Sequence, residues 1–263
     1  MTQKEIKENL DKIGDDINSL RLEVLRLKEE EGISEKTLSK YINKIKKHDL
    51  KVDKIKKMKE IEKEALSNGY DYVIGIDEVG RGPLAGPVVA CATVIDQSSM
   101  ILDVDDSKKL SEETRERLYD EIKSEALASE TGMVSATVID EVNILQATFR
   151  AMAEAYEKVM KVIPEGKRVL TLIDGNQLNP LIKTPQKVVI KGDSKVYSIA
   201  CSSIVAKVTR DRIMNELDEV YPDYDFINNK GYGTAKHTEA LKTKGPIPGL
   251  HRETFIKNLL NKE

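Results

Sequence analysis

The sequence has no tryptophan, three phenylalanines, three histidines and two cysteines. Without Trp there is no tryptophan-lined binding surface. Cys91 and Cys201 sit far apart in apolar stretches and make no metal-ligand spacing. That excludes a disulfide scaffold, a C-x-x-C redox enzyme and a zinc finger, and it suits a reduced, cytoplasmic protein. No apolar run approaches the ~18 residues of a membrane span, so no membrane partner is expected. The first residues, MTQKEIKENL, lack the apolar stretch of a secretory leader. No G-x-x-x-x-G-K-[ST] phosphate loop occurs.

What is present is a soluble composition, 40% hydrophobic and 33% charged, over 263 residues. The net charge of -3 does not announce a polyanion ligand, but its distribution is uneven. Residues 36–63 hold 11 Lys against 4 acids, whereas the chain after residue 67 carries 25 basic and 30 acidic side chains. An acidic core still binds phosphates when divalent cations neutralise its carboxylates.

The first 67 residues contain no Pro and only Gly14 and Gly32. Ile17, Leu20, Val24 and Leu27 recur at helical spacing, as do Leu38, Ile42 and Ile45, then Val52, Ile55 and Met58. Gly32 reads as a helix stop and Ser34 as the next N-cap. The expectation is two or three helices, ending at the Ser67-Asn68-Gly69 turn.

Beyond that turn, strands and helices interleave, the pattern of an α/β core. Strands are expected at 72–77, 87–95, 132–138, 169–173 and 187–190. Helices are expected at 111–128, capped by Ser111, at 143–161, opened by Asn143 and Gln146, and at 194–221.

Three apolar strands run into acids: Asp77 after VIGI, Asp174 after VLTLI and Asp193 after KVVIKG, with Glu78 following Asp77. Sites gather at the carboxyl ends of strands in open α/β sheets. Like charges brought together there repel unless cations or protons compensate. All-oxygen ligands suit Mg²⁺ or Mn²⁺, and a pair of such ions supports phosphodiester hydrolysis. Plainer roles stand beside this one. Asp193 is also placed to cap the helix that follows, and Asp174-Gly175-Asn176 is also a turn signal. Adjacent strand residues point to opposite faces, so Asp77 and Glu78 share a site only across a strand end or bulge.

Asp77-Glu78-Val79-Gly80-Arg81-Gly82-Pro83 sets two acids, a base and two glycines in seven residues. Glycine lets backbone approach a ligand closely, and the exposed peptide groups suit a ribose 2′-OH. Arg81 suits a phosphate. Gly80-x-Gly82-x-x-Ala85 also matches a dinucleotide fingerprint, against which stand Pro83 inside it and the acids before it.

The segment Ile76–Pro87 (IDEVGRGPLAGP) resembles the opening signature of bacterial type 2 ribonuclease H, ribonuclease HII. Asp106–Ser111 (DSKKLS), Leu172–Asn176 (LIDGN), Lys191–Ser194 with Ile204–Asp211, and Lys230–Thr234 (KGYGT) with Leu250–Arg252 resemble later blocks of the same family in the same order. The resemblance covers roughly residues 70–257. It implies a ribonuclease H-like mixed sheet flanked by helices over 70–263, with a C-terminal helical part, behind a helical, Lys-rich extension over 1–69. It implies an endonuclease that hydrolyses RNA paired to DNA, cutting 5′ of ribonucleotides, single embedded ones included, with Mg²⁺ or Mn²⁺. Its substrates would be RNA–DNA hybrids and ribonucleotide-containing duplexes, and the expected state is a monomer.

By that likeness Asp77, Glu78, Asp174 and Asp193 are the catalytic, metal-holding acids. Gly80, Arg81 and Gly82 would read the 2′-OH, Tyr232 would pack on the neighbouring deoxyribose, and Ser107 and Lys108 would hold phosphates. Taken alone, Tyr232 equally suits an exposed turn, and Lys108-Lys109 solvated loop charges. Arg210-Asp211-Arg212 reads as a surface ion-pair set, with Asp211 in reserve should Asp193 prove only a cap. His48 and His237 are expected in solvent, and His251 in helix packing. The type 3 enzymes, which carry a sheet-rich extension and a lysine in the glycine turn, are disfavoured by Arg81. The Lys-rich stretch is either a hold on duplex backbone or a solvated helical face. A non-catalytic nucleic-acid binder is the alternative, and it has no need of four strand-end acids.

Overall fold

A computed structural model describes residues 2–260. The chain divides into two compact units that meet at Lys57 and Met58. The first holds α1 (Gln3–Ile13), α2 (Ile17–Glu29) and most of α3 (Glu35–Met58). Thr2 and Glu5 exchange bonds in a capping box at the start of α1, and Asp16 caps α2. Leu20, Val24 and Leu27 meet Ile6, Leu10, Leu38, Tyr41 and Ile45 in a small apolar core of their own. Buried stripes, one per helix, hold these three helices together more than intrinsic propensity does.

The second unit opens with α4 (Glu60–Ser67), a fourth helix where two or three were expected. β1 (Tyr72–Val79) and β2 (Val88–Ile95) follow, then α5 (Glu112–Glu125), β3 (Ala126–Val134), α6 (Ala136–Val142) and α7 (Ile144–Met160). β4 (Val169–Asp174), β5 (Gln186–Val189) and α8 (Tyr197–Val220) complete the α/β part. Three short helices, α9 (Phe226–Asn229), α10 (Ala235–Lys244) and α11 (Glu253–Leu260), end the described chain.

The sheet order is β3-β2-β1-β4-β5. β1–β2 and β2–β3 are antiparallel, while β1–β4 and β4–β5 are parallel. The mixed sheet flanked by helices is therefore as expected. Ile74 and Ile76 join a core with α7 residues such as Ala151, Met152 and Ala155. Val73, Leu170 and Leu172 face the other way, onto Val196 and Ile199 at the start of α8.

The third strand differs from its expected place. β3 begins at Ala126, directly after α5, because Ala126 and Ala128 pair with Ile95 and Val94 of β2. Ladder pairing here overrides the helix preference of alanine. The β-branched Thr137 and Val138 lie instead in α6, whose first turn is capped by Ser135. α8 also starts three residues later than expected, and its first turn has an unusual cap. The Glu62 carboxylate, from α4, accepts the Ser198 N–H at 2.7 Å. Lys59 of the same segment is buried, with its ammonium bonded to the carbonyls of Gln97 and Ser99.

Candidate active site

β1 carries Asp77 and Glu78 with no bulge between them, since both pair in register with β2, opposite Cys91 and Ala90. They therefore point to opposite faces. Asp77 shares the α8 face with Val73, and Glu78 shares the α7 face with Ile74 and Ile76. Parallel pairing of Ile76 with Ile173 sets Asp174, the last residue of β4, beside Asp77. Its position at the strand end lets Asp174 serve both sides. It also lines, with Glu78, Arg81, Thr148, Phe149 and Asn176, a cleft over the α7 face.

Asp193 arrives from β5. Lys191 takes a left-handed conformation (φ 57°), and a short 3-10 turn, Gly192–Ser194, follows. The Gly192 N–H donates to Asp174 Oδ1 at 2.6 Å. A Cβ at Gly192 would stand 2.7 Å from Ile199 Cδ1 and 3.3 Å from Asp174 Oδ1, so any larger residue would have to displace the Ile199 side chain. Asp193 does not cap α8. The helix starts at Tyr197, and its N-cap residue, Val196, makes no side-chain cap bond. Asp211 is engaged elsewhere, by Lys207 at 2.6 Å and Arg115 at 3.8 Å.

The electrostatics are those of crowded acids. Burial, then the charges of Glu78 and Asp174, push the Asp77 carboxyl well above the usual range. Burial raises Glu78 as well, against the pull of Arg81 at 3.4 Å. Burial, Asp106 and Asp174 raise Asp193. Burial opposes the Lys108 ammonium, but Asp106, Asp193, Asp77 and Asp174 together outweigh it and raise that group. Lys108 Nζ stands 4.0 Å from Asp193. Among the described residues no three His, Cys, Asp or Glu side chains stand ready as a metal-ligand set. The fit to a cation lies in the charge and chemistry of the donors, oxygen-only carboxylates that repel one another when ionised.

Ser107 is buried, and its hydroxyl meets Ser203 Oγ at 3.0 Å. Ser203 in turn bonds Asp77. The side chain expected on a phosphate thus supports an acid, and Lys108 alone of the pair reaches outward.

Past β1 the chain turns at Gly80 (φ 93°), where an added Cβ would lie 2.4 Å from Arg210 Nε. Two arginines hold this turn. Arg252 donates to the carbonyls of Gly80 (2.6 Å), Arg81 (3.0 Å) and Gly86 (2.8 Å). Arg210 donates to Pro87 (2.9 Å), Ala85 (3.0 Å) and Lys230 (2.8 Å). Both have no solvent exposure. Arg210 therefore departs from the surface role expected of it, whereas Arg212 does pair at the surface, with Glu116. The signal available in the sequence was its helical spacing from Ser203, Ala206 and Met214, which share the buried face of α8.

Tyr232 is half-exposed, and its ring edge lies 3.5 Å from where a Gly82 Cβ would be. The Leu84 N–H donates to the Gly231 carbonyl at 2.8 Å, which joins the two turns. His237 is fully buried, contrary to the solvent position expected, and its Nε2 meets His251 Nε2 at 3.0 Å. Burial lowers both imidazoles, His251 to about 4 with help from His237.

Comparison with known proteins adds independent evidence. The ribonuclease HII family model matches residues 74–258. The chain is 49% identical over 231 residues to ribonuclease HII of Lachnoclostridium phytofermentans, covering 88% of this chain and 87% of that one. It is 42% identical over 261 residues to ribonuclease HII of Acetivibrio thermocellus, covering 99% and 98%. Among solved structures, ribonuclease H2 of Pyrococcus horikoshii aligns with a TM-score of 0.55 at 26% identity, over 73% of this chain and 98% of that one. The Mn²⁺ complex of Bst-RNase HIII shares the fold, with a TM-score of 0.59 at 16% identity, over 73% and 71%. Among the described residues no helix is long and apolar enough to cross a membrane. The chain belongs to the ribonuclease HII family, endonucleases that cleave the RNA of RNA–DNA hybrids.

Proposed function

We propose that this enzyme cuts on the 5′ side of ribonucleotides, including a single one embedded in duplex DNA. The observation that carries the reading is the Gly80-Arg81-Gly82 turn, held rigid by Arg210 and Arg252 beside the acid cluster and against Tyr232. Peptide groups at Gly80 and Gly82 contact the 2′-OH, the one group that separates RNA from DNA. The Tyr232 ring covers the deoxyribose next to it. Arg81, half-exposed, and Lys108 take the flanking phosphates.

Asp77, Glu78, Asp174 and Asp193 would hold a pair of Mg²⁺ or Mn²⁺ ions, whose charge favours water ionisation and a departing 3′ oxygen. The carboxylates suit that role through their chemistry, since burial raises Asp77, Glu78 and Asp193 despite the nearby charges of Arg81 and Lys108. Water attacks phosphorus in line with the 3′ oxygen of the preceding deoxynucleotide. The P–O3′ bond breaks, leaving a 3′-hydroxyl and a 5′-phosphate on the ribonucleotide. Ser203 orients Asp77, and the Gly192 amide orients Asp174. Residues 70–263 carry the catalytic machinery of this reading; of the helical stretch 1–69, α4 belongs to the compact unit that begins at Met58.

The test is a DNA duplex with one ribonucleotide, incubated with Mg²⁺, Mn²⁺ or EDTA. A metal-dependent nick directly 5′ of the ribonucleotide is expected. Cleavage of continuous hybrid alone would remove the junction reading from the Gly80–Gly82 turn, and cleavage of neither would overturn the proposal.

A further inference from the structure

The two buried histidines form a chain of hydrogen bonds whose direction is set from both ends. The Ile247 N–H donates to His251 Nδ1 at 2.8 Å, so that nitrogen carries a lone pair. His237 Nδ1 stands 2.9 Å from the Tyr232 carbonyl, which only accepts, so that nitrogen carries the proton. Each neutral ring then has one role left. His251 Nε2–H donates, His237 Nε2 accepts, and they are 3.0 Å apart. All four ring nitrogens are satisfied in a single arrangement, and no other pair of tautomers satisfies them.

This chain links the two segments that flank the glycine turn. On one side, His251 bridges to Ala85, the Gly86 N–H donates to the Leu250 carbonyl, and Arg252 holds Gly80 and Arg81. On the other lies Tyr232, between Gly231, whose carbonyl receives Leu84 N–H, and Thr234, which caps α10. The glycines on each side are themselves conformationally permissive, so the segment carrying Tyr232 is held by its hydrogen bonds, among them Tyr232 N–H to the Asn229 carbonyl at 2.9 Å. The Tyr232 carbonyl is held by the Thr234 N–H at 2.8 Å and by His237. Tyr224 and Phe226 pack against the two imidazoles, both of which are buried.

We infer that His237 and His251 are positioning residues that set the height of Tyr232 over the glycine turn, and thereby the preference for a ribonucleotide–deoxyribonucleotide junction over continuous hybrid. This rests on the junction reading proposed above. Neither histidine touches the reacting atoms. Their effect passes through a hydrogen bond to a backbone carbonyl, and misplacement of a contacting group by a fraction of an ångström costs specificity.

Two variants of His237 separate the bond from the bulk. His237→Phe keeps the ring volume and loses both bonds. His237→Asn places an amide N–H near the Nδ1 position and keeps the bond to Tyr232. The readout is kcat/KM on the single-ribonucleotide duplex divided by kcat/KM on a continuous hybrid. His237→Phe is expected to lower that ratio about tenfold, the scale of one buried hydrogen bond, and His237→Asn to recover most of it. In a Tyr232→Ala background His237→Phe should change the ratio no further. A folded His237→Phe enzyme with an unchanged ratio overturns the inference. Should the variants fail to fold, ¹⁵N spectra of the wild-type imidazoles decide. Protons on His237 Nδ1 and His251 Nε2 at neutral pH are required, and the opposite tautomers overturn the inference. Absence of nicking by the wild-type enzyme would instead strike the junction reading itself.

Discussion

The Asp174 carboxylate accepts the backbone N–H of Gly192 at 2.6 Å, and so the acid that ends β4 also anchors the turn that presents Asp193. Charge and scaffold meet in one side chain, and two substitutions pull them apart. Asp174→Asn keeps an acceptor and removes the charge, whereas Asp174→Ala removes both. Both are expected to lose at least about 100-fold in cleavage rate. Only the alanine variant should also lose about 1–3 kcal/mol of stability in urea unfolding, because the Gly192 amide is left without a partner.

Ionised Asp77 is costly to the fold. Its carboxyl is raised by burial and by Glu78 and Asp174, so the folded state binds its proton more tightly than the unfolded chain does. Such a group weakens the fold above its raised pKa, and the penalty fades as pH falls toward the free value of about 3.9. Asp77→Asn should therefore raise the melting temperature in EDTA at neutral pH, with the gain vanishing near pH 4. Cleavage should be abolished while binding of hybrid, followed by fluorescence anisotropy, survives. Full activity in this variant would sink the assignment.

Gly80 and Gly82 are two residues apart and should respond differently to alanine. At Gly80 the left-handed backbone and Arg210 Nε, 2.4 Å from an added Cβ, predict a loss of about 2 kcal/mol or more. At Gly82 the nearest atom is Tyr232 Cε1 at 3.5 Å, an ordinary contact. Gly82→Ala should fold within about 0.5 kcal/mol of wild type, yet nick the single-ribonucleotide duplex more slowly. Chemical denaturation and the nicking assay together check both halves.

His251 supplies a pH dependence of the opposite sign to Asp77. Its folded pKa is lowered to about 4, first by burial and then by His237, against about 6.5 for a free imidazole. The unfolded state therefore takes up the proton first. The contribution is complete above about pH 6.5 and is lost as pH falls toward 4. Urea midpoints at intervals across that window should decline, and His251→Phe should flatten the decline. An NMR titration in which the His251 ring protonates near pH 6.5 would contradict the buried chain of bonds.

Much of this molecule was legible without coordinates, for reasons that are local. Apolar runs ending in Asp77 and Asp174, the caps at Ser111 and Asn143, and the stripe through Leu20, Val24 and Leu27 each depend on a few neighbouring residues. A four-helix start and an early β3 were not legible in the same way. Ala126–Val134 becomes a strand only because β2 offers it a ladder, and α4 binds far along the chain, with Glu62 on the Ser198 amide. The composition break falls at residue 69, but the compact units meet at 57 and 58, since compactness follows contacts and not local composition.

The sequence by itself picked out the acids and the glycine turn as candidates, because residue type and strand-end position are properties of short segments. Only the tertiary structure decided that Asp77 and Glu78 face opposite sides of the sheet with Asp174 serving both, and that Ser107 turns inward to Ser203. It also moved Arg210 and His237 from the expected surface into the interior, where their partners lie on other elements. A buried charged or polar group is stable only when every donor finds an acceptor. Those acceptors, the carbonyls of residues 85, 87, 230 and 232, come together only when the chain has folded.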